Sequence, residues 1–240
     1  NVAPDFDAFT FSGTAGNRIN LGCIATGGSG FNTTMTLYPP GGGAAEATSS
    51  GADLLDWQLA ATGTYTLLIE DSGNTHVGTY SLSLLDVTAG PWTSGSDPDG
   101  STIASAEIKS GTLGTTPDFD AFQINGVTGH RIILCNLLTS GSANTVTYLY
   151  PPSGGSAVIA TGTDRNEFVL NATGTWTVVV TDFGLDTVGS YNLTLMDLNG
   201  ALSNGADPDG GAIASAEVKT GQMNVAPDFD AFTFSGTAGN

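Results

Sequence analysis

The chain has 240 residues, of which 34 are glycine and only 12% are charged, and its formal net charge at pH 7 is −18. Nucleic-acid binding depends on Lys and Arg at phosphates, so five basic residues against 23 acidic ones argue against nucleic acid and against an anionic membrane surface. The charge suits hard cations such as Ca²⁺, and equally suits acidity that keeps an extracellular β-protein soluble. No apolar run approaches the ~18 residues of a membrane span.

One hexapeptide, Pro-Asp-Phe-Asp-Ala-Phe, occurs three times, at Pro4–Phe9, Pro117–Phe122 and Pro227–Phe232. The intervals are roughly 110 residues, the size of one small domain. Residues 224–240 repeat residues 1–17 letter for letter. This self-similarity predicts either a window of a longer array or a subunit that continues into its neighbour.

The composition predicts many short strands joined by tight turns, because no window has the apolar spacing of a helix. In the first period, strand signals include alternating Phe9 and Phe11 and the segments 64–67 and 79–82. The second period is complete and predicts eight strands, at 103–109, 118–124, 131–138, 146–150, 157–161, 167–170, 175–181 and 190–196. We therefore predict an all-β chain of tandem antiparallel β-sandwiches, jelly-roll-like, with about eight strands each.

The turn sequence Asp-Pro-Asp-Gly occurs at Asp97–Gly100 and again at Asp207–Gly210. As a domain start, it predicts a first sandwich over 1–92, a complete second sandwich over 93–202, and the opening strands of a further repeat over 203–240. The first sandwich then lacks its opening strand, and the last segment supplies one with no domain behind it.

An incomplete sandwich exposes strand edges, so we expect copies to complete one another head to tail. A covalently continuous array is favoured over strand addition between subunits. The reason is that strand donation does not need two copies of the same strand, Asp5–Phe11 and Asp228–Phe234, in one subunit.

Several motifs follow one another in a fixed order in the second period. They are Asp-Pro-Asp-Gly at 97–100, Asp-x-Asp-x-Phe at 118–122, and segments of the type Gly-x-Tyr-x-Leu at 174–178 and 189–193. In this order they resemble the bacterial pre-peptidase C-terminal domain family, although that family more often opens with Glu-Pro-Asn. The resemblance implies a jelly-roll-like sandwich, often attached to secreted peptidases, of which some bind Ca²⁺ near the domain start and some bind matrix polymers.

The acidic residues of the second period are predicted to converge. Asp118 and Asp120 share one side of a strand, and Asp97, Asp99 and Glu107 belong to the opening turn and the first strand. Four or five converging carboxylates repel one another unless a cation such as Ca²⁺ binds them. Alternatively, the turn and its acids simply face water. The candidate metal ligands over all repeats are Asp5, Asp7, Asp97, Asp99, Glu107, Asp118, Asp120, Asp207, Asp209, Glu217, Asp228 and Asp230.

Motifs of catalysis are absent from the sequence. No Gly-x-Ser-x-Gly occurs, and His76 and His130 lie in different periods without counterparts. We therefore expect no enzymatic activity. Asn32, Asn171 and Asn192 lie in sequons and are candidate glycosylation sites, of which Asn192 is predicted to point outward from its strand.

The two cysteines fall in corresponding strands but one residue out of register, since Cys23 matches Asn136 and Cys135 matches Gly22. One thiol is therefore expected to face inward and the other outward. Cys23 is predicted to be buried and unpaired, while the state of Cys135, and hence a disulfide between the two, stays open.

Together these features predict a non-enzymatic extracellular or cell-surface protein in which Ca²⁺-stabilised sandwiches form a filament or stalk. The rival is an adhesion or binding module of a secreted hydrolase or adhesin, which would recognise polysaccharide or matrix protein through an exposed aromatic platform. Trp57, Trp92 and Trp176 do not predict such a platform, because Trp176 replaces Tyr65 at a core-like position. Trp92 lies between the periods, where an interdomain contact and a contact within its own domain are equally open.

Overall fold

The structure of the protein is a computed structural model in which residues 3–49 and 51–239 are described. Within these ranges the chain is built from strands, and no helix capable of crossing a membrane occurs there. The prediction of an all-β chain with tandem sandwiches is confirmed.

The first sandwich consists of seven strands in two sheets. One sheet has the order β1-β6-β3-β4 and the other has the order β5-β2-β7. Alternation places Tyr65, Leu67 and Ile69 of β6 in the core between the sheets. The strands are β1 (Phe6–Gly13), β2 (Arg18–Gly27), β3 (Thr33–Tyr38), β4 (Ala47–Thr48), β5 (Leu54–Gln58), β6 (Gly63–Asp71) and β7 (Thr79–Asp86).

The second sandwich repeats this plan and adds one strand to the edge of each sheet. Its sheets have the orders β13-β12-β15-β10-β8 and β14-β11-β16-β9. Trp176 and Phe122 are fully buried between them. The strands are β8 (Gly100–Thr102), β9 (Glu107–Leu113), β10 (Phe119–Gly126), β11 (Arg131–Gly141), β12 (Thr145–Tyr150), β13 (Ile159–Thr161), β14 (Arg165–Val169), β15 (Gly174–Asp182) and β16 (Gly189–Asp197).

The predicted opening strand 103–109 is wrong as a single strand. Residues 103–106 form a turn, with Ala106 at a positive φ of 61° and the Glu107 carboxylate accepting from the Ala104 amide at 2.8 Å, so only the last three residues of the predicted range are strand. β8, which precedes the turn and the predicted range, pairs parallel with β10, and β9, which follows the turn, pairs antiparallel with β16. The chain thus crosses from one sheet to the other, and Ile103 and Leu113 are buried in the core.

The terminal segment, residues 203–239, contains only β17 (Gly211–Ala212) and β18 (Phe232–Thr233), which pair parallel. This pairing matches that of β8 with β10. The segment lies on the outer sheet of the second sandwich, where Phe229 and Ala231 pack against Ile133 and Met196. It therefore reproduces the opening of a sandwich without the remaining strands.

The two sandwiches stack through an apolar interface. Phe119, Tyr150 and Val179 of the second sandwich form one buried cluster with Ile24 and Leu85 of the first. The sequence left open whether Trp92 makes an interdomain contact or a contact within its own domain. Trp92 packs against this interdomain cluster, between the sandwiches.

Polar bonds cross the same interface. Arg18 Nε donates to the Gly154 carbonyl at 3.0 Å, and Asn20 Nδ2 donates to Tyr150 Oη at 2.9 Å. A Cβ on Gly22 would lie 2.9 Å from the Phe119 ring, so only glycine allows this close approach. The two sandwiches are therefore joined by a specific contact and not only by the connecting chain.

The cysteines lie on opposite sides of equivalent strands, as their register predicts. Cys23 is in the core of the first sandwich, where burial raises the pKa of its thiol to about 11. Cys135 is buried on the other side of its sheet, beside Thr194 in the register. Both thiols are free.

Candidate metal centre

Three carboxylates meet at the start of the second sandwich. Oxygen atoms of Asp97, Asp118 and Asp120 lie within 4.8 Å of one another. The opening turn positions Asp97, and the start of β10 positions the other two, which share a side because they are two residues apart. We call these three residues the second-sandwich triad.

The folded protein is destabilised when all three carboxylates of the triad are charged. Burial, followed by the charges of Asp118, Asp97 and Asp99, raises the pKa of Asp120 to about 9. Burial and the charge of Asp118 raise the pKa of Asp97 to about 6. The raised pKa values show that the ionised carboxylates are unfavourable here, and a bound cation would stabilise them.

The oxygen atoms of Asp120 fit a hard cation. Its side chain is fully buried, and Oδ1 has no hydrogen-bond partner among the described residues. Oδ2 accepts from Tyr191 Oη at 2.6 Å. An unpaired buried carboxylate oxygen is expensive, and coordination to Ca²⁺ would satisfy it.

The basic side chains of the protein bind other carboxylates. Each of the five lies in an ion pair outside the triad: Arg18–Asp56, Lys109–Glu107, Arg131–Glu167, Arg165–Glu167 and Lys219–Glu217. Neutralisation of the triad therefore falls to protons or to a cation from solution.

The terminal segment contains the same arrangement. Asp207, Asp228 and Asp230 also bring carboxylate oxygens within 4.8 Å of one another, and Asp230 Oδ1 is buried without a partner in the described chain. Burial and neighbouring aspartates raise the pKa of Asp207 and Asp230. We call these residues the terminal triad.

The first sandwich holds only part of such a site. Asp5 and Asp7 occupy the positions of Asp118 and Asp120, and Asp7 accepts from Tyr80 Oη at 2.8 Å, as Asp120 does from Tyr191. No Asp-Pro-Asp turn lies beside this pair in the described residues. The pair is a half-site.

Four predicted ligands lie beside the triads but not in them. Asp99 accepts from the Thr112 amide at 2.9 Å, and Asp209 accepts from the Gln222 amide at 2.8 Å. Glu107 and Glu217 turn away, because each accepts from a backbone amide and pairs with a lysine two residues on. The structure therefore brings together Asp97, Asp118 and Asp120, but not Glu107.

The tyrosines that bond to the aspartates were missed by sequence reasoning. Tyr191 in Gly189–Leu193 and Tyr80 in Gly78–Leu82 occupy the same place in two Gly-x-Tyr-x-Leu segments, one from each period. Each donates to the second aspartate of its Asp-x-Asp pair. Their repetition was the available signal, but the partner became visible only when the two sheets were placed face to face.

The candidate glycosylation sites separate into two kinds. Asn32 and Asn171 are exposed. Asn192 lies on the side of its strand opposite the core residues Tyr191 and Leu193, but the residue is only 8% exposed, and its Nδ2 donates to the Ala226 carbonyl at 2.7 Å. The terminal segment covers this face, which alternation alone could not indicate.

The histidines and tryptophans noted in the sequence lie beside carboxylates or in a core. His130 Nδ1 lies 2.7 Å from Asp197 Oδ2, and His76 lies beside Asp71 in the other sandwich. Trp176 is in the core, and Trp57 is half-buried with its indole nitrogen donating to Glu46. The tryptophans therefore do not form an aromatic platform.

Comparison with known proteins gives structural likeness alone. No protein-family model matches the chain, and no curated protein matches it. The pre-peptidase C-terminal domain of collagenase from Bacillus anthracis is 18% identical and has a TM-score of 0.34, with 40% of this chain and 94% of that one covered. PliG from Aeromonas hydrophila, a periplasmic inhibitor of g-type lysozyme, is 15% identical, with a TM-score of 0.34 and coverage of 41% and 96%.

A third structure matches more of the chain, but with a lower identity and a lower TM-score. The CUB1-EGF-CUB2 region of human MASP-1/3 is 7% identical, with a TM-score of 0.22 over 80% of this chain and 94% of that one.

Calcium affinity at the second-sandwich triad should rise with pH. Since the pKa of Asp120 is raised to about 9 and that of Asp97 to about 6, Ca²⁺ must displace protons to bind. Between pH 6 and 9 one displaced proton gives about a tenfold gain in affinity per pH unit. Calorimetric titration in buffers of different ionisation enthalpy measures the released proton. An affinity that is flat across this range would contradict the raised pKa of Asp120.

Proposed function

We propose that the chain is an extracellular structural repeat protein whose Ca²⁺-stabilised β-sandwiches stack head to tail into a filament or surface stalk. The protein is proposed to be non-catalytic, and its partners are other copies of the same repeats. A binding role on glycans or matrix polymers is less favoured, because the tryptophans, all of which lie in the described part of the chain, do not form an exposed aromatic platform.

The main support for this proposal is that equivalent residues pack on an outer sheet at two places along the chain. Phe119 and Ala121 pack between the two sandwiches, and the equivalent Phe229 and Ala231 pack on the outer sheet of the second. An interface that joins one end of a unit to the opposite end of the next does not close on itself, and it therefore generates rings or open filaments.

A role for calcium is supported by the recurrence of the acidic site. The triads lie where each repeat opens, next to the stacking contact, and each contains a buried carboxylate oxygen without a partner. For an extracellular module the expected dissociation constant for Ca²⁺ is about 10⁻⁴–10⁻³ M.

Calcium should raise the melting temperature of the protein. At a free Ca²⁺ concentration of about 100 times the dissociation constant, each site stabilises the folded state by about 2.7 kcal/mol. Scanning calorimetry with Ca²⁺, with chelator and with Mg²⁺ tests this. Mg²⁺ is the control, since it holds its water shell and requires stricter geometry. An unchanged melting temperature after complete Ca²⁺ removal would contradict the proposal that Ca²⁺ stabilises the sandwiches.

The fibre itself is tested by electron microscopy of the protein in Ca²⁺. We expect filaments with a periodic repeat of stacked sandwiches. A denaturing gel of the native material then separates a covalent array from subunits of about 240 residues. Only monodisperse single particles at every protein concentration would argue against a filament.

A further inference from the structure

We propose that Asn20 and its partner Tyr150 fix the orientation of the two sandwiches, which makes the contact between them a stiff joint with one rotation. This deepens the proposed stack of sandwiches, and its meaning for a filament rests on that proposal. The contacts of the joint lie between residues 16 and 185, inside the two sandwiches and the chain that connects them. Asn20 is assigned a positioning role in this joint.

One face of β2 makes much of the joint. The residues of this strand alternate between the core of the first sandwich and the contact with the second. On the contact side, Gly22 lies against the Phe119 ring and Ile24 belongs to the interdomain cluster. Asn20 is on the same side and is 1% exposed. A polar amide is therefore buried where the neighbouring contacts are apolar.

Asn20 makes a single hydrogen bond through its amide. Nδ2 donates to Tyr150 Oη at 2.9 Å, and Tyr150 is also 1% exposed. The other amide atom, Asn20 Oδ1, is buried and has no partner in the described part of the chain. Turning the amide over would exchange the two atoms and leave the nitrogen unpaired instead. In either orientation, burying this amide lowers the stability of the joint relative to an apolar side chain.

Stability therefore does not explain why the joint contains Asn20. The protein itself contains the apolar alternative, since the second sandwich has Ile133 at the position of Asn20. A buried polar residue in an apolar contact can instead select one arrangement, because every other arrangement separates it from its partner. Asn20 fits this role, since Tyr150 is its one hydrogen-bond partner across the joint among the described residues.

Apolar contacts alone would leave the orientation poorly defined. The hydrophobic effect is non-directional, whereas a hydrogen bond requires a short distance and a narrow range of angles. A shift of the second sandwich by one strand, about 4.8 Å, would still bury apolar surface. It would also bury Asn20 and Tyr150 without any hydrogen bond between them. The interdomain pair, Asn20 and Tyr150, thus disfavours shifted and rotated arrangements.

Two further hydrogen bonds agree with a single orientation. Arg18 Nε donates to the Gly154 carbonyl at 3.0 Å, in the loop after β12. Thr177 Oγ1, on β15, donates to the Val87 carbonyl at 2.6 Å. Together with Tyr150 on β12, these contacts reach three separate elements of the second sandwich. A rotation about any one of the bonds would break the others.

A joint of this kind has a consequence for the stack. If each sandwich meets the next at one fixed rotation, the rotations add regularly along the chain and the stack becomes a stiff rod with a constant helical twist. A joint made by apolar contacts alone would give a flexible string of domains instead. The inference therefore concerns stiffness, which is separate from whether filaments form.

Pulsed dipolar EPR between spin labels tests the orientation. Ser72→Cys places a label on the first sandwich, and Val127→Cys and Gly162→Cys place labels on the second, all at exposed positions. The pairs 72/127 and 72/162 cross the joint, whereas 127/162 lies within one sandwich and measures the motion of the labels alone. The labelled chain is diluted into excess unlabelled chain, so that distances between chains do not contribute. Unaltered protein, whose thiols are buried, gives the labelling background.

The interdomain pair is replaced by Asn20→Ile together with Tyr150→Phe. In the parent we expect all three distance distributions to be equally narrow. In the variant the two distributions that cross the joint should broaden at least about twofold, while 127/162 stays unchanged. The denaturant midpoint should stay the same or rise, because both polar partners are replaced by apolar groups. A purely structural role would lower the midpoint and leave the distances alone.

The second sandwich offers a matched control pair. Asn136 Nδ2 donates to Thr147 Oγ1 at 3.2 Å in the interior, and Asn136 Oδ1 is likewise buried without a partner among the described residues. Asn136→Leu with Thr147→Val removes a similar polar pair inside one sandwich. This control should leave all three distance distributions narrow.

Broad distributions across the joint in the parent would overturn the inference, as would narrow ones after replacement of the interdomain pair. Filaments in electron micrographs together with broad distributions in the parent would overturn the stiff joint and leave the filament standing. Narrow parent distributions that broaden in the variant, without filaments, would support the joint and argue against the filament.

Discussion

Replacing Asp120 by Asn should remove the calcium-dependent part of the stability of the second sandwich. The carboxylate is buried in the triad, and its Oδ1 has no other partner. An amide oxygen is a neutral ligand and removes one negative charge from the triad, so the variant should lose much of the stabilisation of about 2.7 kcal/mol that bound Ca²⁺ would provide at 100 times the dissociation constant. In chelator the order reverses. The variant should then be more stable than the parent by a margin that grows from about pH 4, the ordinary pKa of an unfolded aspartate, to about pH 9, because the folded parent must protonate Asp120 or bury its charge among like charges.

The measurement is chemical unfolding of both proteins, with Ca²⁺ and with chelator. Asp164→Asn is the matched control, since it makes the same charge change at an exposed position in the same sandwich. A variant whose calcium response equals that of the parent would show that Asp120 is not a ligand.

Replacing Trp176 by Ala should cost about 3–5 kcal/mol, the largest effect of any single truncation considered for this protein. The indole is fully buried, packs against Phe168, and donates to the Ala172 carbonyl at 3.1 Å. Because domains are stable by only about 5–15 kcal/mol, a large part of the stability of the second sandwich would be lost.

Trp57→Ala provides the comparison, because Trp57 is half-buried at the edge of the first core. Calorimetry should show the second sandwich melting far earlier in Trp176→Ala, and a much smaller shift in Trp57→Ala. Equal shifts would mean that the core of the second sandwich does not depend on this side chain.

Most of the strands could be predicted because their signals are local. Alternation marks Phe122 and Ile124 as core residues of β10, and both are buried. The acidic pair Asp118 and Asp120 could likewise be placed on one side of that strand from their spacing. The failure at 103–109 also has a local cause, since a turn built on Ala106 at positive φ has no glycine to mark it.

The amino-acid sequence by itself determined the β-class, the repeat and the aspartates that open each unit, because alternation, turn residues and internal duplication are properties of neighbours in the chain. The tertiary structure alone decided which groups meet across sheets. It brought Tyr191 to Asp120, kept Glu107 out of the triad, and covered Asn192 with the terminal segment. Those contacts join residues far apart in the chain, and their distances depend on how sheets and sandwiches pack.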